Sequence, residues 1–100
     1  MSASNIQTVT KTADAAAISG RTRVRGIYYT CSATGSSFTL RNGAVVGAPA
    51  VVVVNTPASA SANDIHVPEE GILFDSGVFI DVADANVTSV TLMFEGGAAA

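Results

Sequence analysis

The sequence predicts an all-β fold, a small β-sandwich or jelly-roll-like domain of about seven or eight short strands. Three observations lead there. The chain is 48% hydrophobic but only 6% aromatic and has no Trp. Its apolar mass is Val and Ala, and valine's branched side chain suits a pleated surface. Apolar and polar residues alternate in several stretches, as in half-buried strands, and turn-forming residues recur roughly every 8–12 positions.

Ile6 to Thr12 alternates, with Thr8, Thr10 and Thr12 on one side and Gln7, Val9 and Lys11 on the other. Asp14 to Ile18 reads as one helical turn or a connection before Gly20 ends it. Residues 1–20 are therefore either a first strand or an extended N-terminal arm that pairs with a neighbour. Residues 21–95 form the sandwich. Its clearest strand is Arg21 to Ser32, where Thr22, Val24, Gly26 and Tyr28 face one way and Arg21, Arg23, Arg25, Ile27 and Tyr29 the other. Phe38 to Arg41 is a short strand with Phe38 and Leu40 inward, closed by Asn42-Gly43, a hairpin signal, after which Ala44 to Val54 resumes extended structure. Val51 to Val54 lacks alternation and reads as a strand buried on both faces. Asn55 to Asn63 is a loop of small and polar residues.

Asp64 to Val67 begins another strand, which Pro68 stops, and Ile72 to Phe74 resumes after a Glu69-Glu70-Gly71 turn. Val78, Ile80 and Val82 share one face of the next strand, with Phe79 and Asp81 on the other. Thr88 to Glu95 is the last strand, with Val90, Leu92 and Phe94 toward the core. Residues 96–100 are a soft, flexible tail.

A chain of 100 residues holds one core, and alanine adds little buried area to it. Such a core gains from oligomerisation or docking, as does a surface with only 13% charged residues. The net charge of −3 argues against partners that need basic patches, nucleic acid and anionic membranes. No apolar run approaches the roughly 20 residues of a membrane-spanning helix. The N-terminus has neither the basic nor the apolar region of a signal peptide, which predicts synthesis in the cytoplasm. A single cysteine, Cys31, excludes an internal disulfide.

Catalytic constellations are not evident. Cys31 and His66, each the only residue of its type, match no nucleophile–base motif, and transition metals want more such ligands. Asp81, Asp84 and Asn86 suit a cation by residue type but lack the full calcium-loop spacing, and such residues are ordinary in turns. Glu69 and Glu70, as neighbours, do not form an acid/base pair. Gly96-Gly97 lacks the strand–loop–helix context of a phosphate loop. No catalytic, cofactor-binding or metal-ligating residue is assigned, and no cofactor is expected.

The informative cluster is arginine. Arg21, Arg23 and Arg25 alternate along one strand at about 6.6–6.8 Å spacing. They read as solvent-facing charges that discourage aggregation, or as an interface of bidentate Arg–carboxylate pairs, with nucleic acid third. The candidate interface comprises Arg21, Arg23, Arg25 and the adjacent Tyr29, with Asn55, Thr56, Pro57 and Asn63 from the long loop.

Segments Gly20 to Tyr29, Val67 to Phe74, Gly77 to Val82 and Val87 to Phe94 resemble small virion structural proteins, head-decoration or cement-like, of tailed phages infecting cyanobacteria and other aquatic bacteria. The shared pattern is an opening "GRTRVRGIYYT" and a closing "P-x-x-GI-F…GV-x-x-x-V…V-T-V-x-F". The resemblance implies a non-enzymatic virion protein. Small size, low charge, an oligomer-prone composition and a possible N-terminal arm favour one that binds and stabilises the head lattice, with a tail or fibre component recognising a host surface as the alternative. The resemblance also implies a symmetric homo-oligomer; a trimer is expected first, with the major capsid protein or another virion protein as partner. It transfers no catalytic residue.

Overall fold

The computed structural model describes residues 6–100. Among them are ten strands and no helix: β1 (Gln7–Lys11), β2 (Ala15–Ser19), β3 (Thr22–Cys31), β4 (Ser37–Asn42), β5 (Ala50–Asn55), β6 (Ser61–His66), β7 (Ile72–Phe74), β8 (Gly77–Val82), β9 (Val87–Glu95) and β10 (Ala98–Ala99). Where alternation is unbroken, the apolar parity faces inward. Phe38 and Leu40 of β4, Val78 and Ile80 of β8, and Val90, Leu92 and Phe94 of β9 are all fully buried.

The strands form two antiparallel sheets. The first runs β1-β9-β3-β6, with β7 also paired to β3; the second runs β10-β2-β8-β4-β5. The chain passes from sheet to sheet at nearly every connection. Four strands ordered β1-β9-β3-β6 over four ordered β2-β8-β4-β5 is the connectivity of a jelly roll, the doubled Greek key that packs two sheets around one core. The layers meet through Phe38, Phe74, Phe94, Ile18, Ile27, Leu40, Ile80 and Leu92. Tyr29 of β3 and Phe38 of β4 meet edge-on between the sheets, ring centroids 5.3 Å apart at 61°.

Four segments differ from the sequence reading. Asp14 to Ile18 is neither helical nor a connection: Ala15–Ser19 is strand β2, paired with β8, and the Asp14 carboxylate accepts the Val82 N–H at 2.8 Å. Alanine's helix preference is a weak prior that pairing overrides, and Ala17 and Ile18 fill the core here. Residues 96–100, expected as a flexible tail, turn back at Gly96 and Gly97, both with positive φ (76° and 68°). Ala98–Ala99 then pairs with β2, and Lys11 Nζ donates to the Ala100 carbonyl at 2.8 Å.

The other two differences concern faces. In β3 the register to β9 slips between Val24 and Gly26, a β-bulge that admits Arg25 as an extra residue. Beyond it the parity reverses: Ile27 and Tyr29, expected on the arginine face, are buried, and Tyr28 points outward. β5 is an edge strand, so its valines are not buried twice. Val52 and Val54 pack on the core, while Val51 and Val53 are 44% and 59% exposed.

Candidate protein-binding faces

Directly opposed residues of antiparallel strands share a face, so the register maps the outer surface of the first sheet. One row crosses four strands as Thr10, Thr91, Tyr28 and Asp64. The Thr10 and Thr91 hydroxyls are 2.8 Å apart, and Tyr28 is 40% exposed. The next row holds Thr8, Met93, Gly26 and His66. At Gly26 an added Cβ would lie 2.8 Å from Met93 Cε, so the glycine makes room for that side chain. The last row is Glu95, Arg23 and Leu73.

The arginines divide by partner. Arg25, at the bulge, forms an ion pair with Glu95. Arg21 is 3.8 Å from Asp75, both side chains largely in solvent, a pair worth little net stability. Arg23 has no ion-pair partner among the described residues. It lies half-buried with Arg21, Thr22, Leu73, Glu95 and Gly96 around a shallow cleft of about 270 Å³. The fourth arginine, Arg41 of β4, holds Asp81 at 2.9 Å and donates to the Ala48 carbonyl at 3.0 Å, pinning the β4–β5 loop.

The remaining candidate residues lie elsewhere. Tyr29 is 6% exposed and belongs to the core, because the bulge turns it inward. Thr56 is 7% exposed; its Oγ1 accepts the Ser36 N–H and its own N–H donates to the Ser36 carbonyl, each at 2.9 Å. That pairing makes Thr56 a clamp between loops. Asn55 and Pro57 are exposed, and Asn63 is a half-buried β6 residue opposite Tyr29. The expected loop from Asn55 to Asn63 shrinks to 56–60, since its ends join β5 and β6. This loop lies by the end of β3, where Cys31 Sγ is 3.4 Å from the Ser59 carbonyl. Arg23 is eight residues back along the strand, roughly 25 Å away. The eight expected interface residues therefore do not form one patch.

Cys31 and His66 do not meet. Cys31 is opposite Ser61 in the β3–β6 pair, and five strand residues, about 17 Å, separate Ser61 from His66. The acidic turn is tied to itself: Asp84 accepts the Asn86 N–H at 2.9 Å and the Ser36 hydroxyl at 2.8 Å. These bonds hold its carboxyl below the usual range, the Asn86 backbone contributing most. Asp81 faces Arg41 instead, and Asn86 Oδ1 accepts the Ser32 hydroxyl at 2.7 Å. Among the described residues no group of three His, Cys, Asp or Glu is placed to share a metal ion.

A feature the sequence reading missed is the apolar edge of the second sheet: Val51 and Val53 on β5, with Val45 and Val46 at 62% and 75% exposure in the preceding loop. A signal for it was present in Pro49, directly before the strand and separated from the valine run only by Ala50, because proline beside a strand favours an edge position.

No family model and no curated protein matches the chain. Among solved structures it is similar to the coat protein of Tobacco streak virus, with a TM-score of 0.40 and 11% identity over 98% of this chain and 90% of that one. At that TM-score the likeness carries no functional conclusion.

Proposed function

We propose that this chain is a non-enzymatic structural protein of a tailed-phage particle, binding the head lattice as a decoration or cement protein. The observation that carries this reading is Arg23. It is a guanidinium without an ion-pair partner among the described residues, set in a cleft beside an apolar side chain, Leu73, and beside Glu95, whose carboxylate pairs with Arg25. A carboxylate of a capsid subunit fits there, since the planar arginine fork bonds carboxylates bidentately. The jelly roll is compatible, being common among capsid domains, although a fold alone assigns no role. The strain-resisting effect comes from repetition: each copy needs about 800 Å² per partner, and the lattice multiplies the contact.

Co-sedimentation with empty tailed-phage heads tests the reading. Binding is expected to saturate at a lattice-like ratio, and Arg23→Glu is expected to weaken it at least about tenfold, or 1.4 kcal/mol. A protein that stays in the supernatant overturns head binding. The second reading, a tail or fibre component contacting host glycans, is favoured by Tyr28, whose exposed ring lies between Thr91 and Asp64. Binding to host cells that is lost in Tyr28→Ala would support it.

A further inference from the structure

The outer edge of β5 is built unlike the other edges. No strand among the described residues pairs with it, so every second residue directs its N–H and C=O outward without a ladder partner. Natural edges are commonly protected by charge, proline or brevity. β1 carries Lys11, β6 carries Asp64 and His66 on its outer face, and β10 is two residues long. β5 reads Ala-Val-Val-Val-Val-Asn, and no charged residue occurs between Arg41 and Asp64. Val51 and Val53 face solvent, and Val45 and Val46 in the loop that leads into β5 are exposed as well.

We infer that this edge pairs with the same edge of a second copy, antiparallel about a two-fold axis, joining two five-stranded sheets into one of ten. Charge selects this occupant. Two copies of a chain with net charge −3 repel in general, but they meet without like-charge contact along this neutral strip. An acidic or basic strand would find no charge to pair with along it. Pairing with β6 of another copy would set Asp64 and His66 beside valine and desolvate them.

Register follows from the faces. For both sandwiches to keep their cores on the same side, opposed residues must share parity. Centring the axis on Val52 sets Val51 against Val53 twice and Val52 against itself. Such a contact is isologous and closes at two copies. The dimer, and not the trimer expected from the sequence, is then the unit this edge builds. An edge six residues long, about 20 Å, covers less than a standard interface, so association is expected to depend on concentration. The inference goes beyond head binding and stands without it.

Sedimentation equilibrium from micromolar to millimolar concentration tests it, with hydrogen exchange read at each end of the range. The wild type is expected to rise from 10.1 kDa toward twice that mass, with β5 amides gaining protection as it does. Val53→Lys should shift the dimerisation midpoint at least tenfold higher or abolish the dimer, while circular dichroism and thermal midpoint, both read at micromolar concentration where the wild type is monomeric, stay unchanged. Val53→Thr, still β-branched, should dimerise. A wild type that remains at 10.1 kDa throughout, or an oligomer that Val53→Lys leaves intact, overturns the inference. Head co-sedimentation of the monomeric Val53→Lys variant judges the virion reading separately.

Discussion

Phe38→Ala is expected to destabilise the domain by about 3–5 kcal/mol, the range for removing a buried phenylalanine. Phe38 is fully buried in the second sheet and meets Tyr29 of the first edge-on, so its removal opens a cavity where the layers join. Natural stability at this size is roughly 5–15 kcal/mol, and 1 kcal/mol moves the midpoint by about 4–8 °C. Calorimetry should therefore record a fall of about 15–30 °C, or no cooperative transition. The other large core side chains, among them Phe74, Phe94, Ile80 and Leu92, are themselves fully buried in place, so they cannot fill the space without opening another. A fall of only a few degrees would mean that the sheets are not held together at this contact.

Gly77→Ala is the second large effect expected. Gly77 opens β8 with φ of +102°, a region costing other residues about 1–3 kcal/mol. An added Cβ would also stand 2.5 Å from the Ile18 carbonyl oxygen. That oxygen is backbone in β2, beside a side chain fully buried in the core, so relief requires moving a paired strand. The loss should exceed the φ cost alone. Gly47 supplies the comparison: its φ is +90° but nothing lies within 4 Å of the position its Cβ would take, so Gly47→Ala should cost only about 1 kcal/mol. Urea titration of both variants reads the difference, and equal losses would mean that β2 yields freely.

Much of this architecture was legible because β4, β8 and β9 alternate without interruption. Phe38 and Leu40, Val78 and Ile80, and Val90, Leu92 and Phe94 can be assigned to the core from spacing alone. The failures have separate causes. A bulge inserts one residue with no mark in the composition, so the parity of β3 could be read correctly from Thr22 to Val24 and wrongly from Ile27 to Tyr29. A run of four valines looks the same in a central strand and at an edge. In β2, three alanines carry little strand preference of their own, and only pairing with β8 reveals them. The arginine row was visible as a row. That Arg25 and Arg21 form ion pairs while Arg23, opposite Glu95, does not depends on the long-range placement of Glu95 and Asp75.

The single thiol has a practical consequence. Cys31 is 6% exposed, the last residue of β3, and within reach of the Ser59 carbonyl. A thiol reagent can reach it only when that corner opens, so the rate of modification measures how often β3 and β6 part at that end. In the unaltered protein, modification should be far slower than for an unfolded chain. As denaturant rises, a rate insensitive to it reports fraying of the corner, and one that climbs steeply reports opening of the whole sandwich. The chain thus carries its own clock for local opening, with one hand and no other cysteine to confuse the reading.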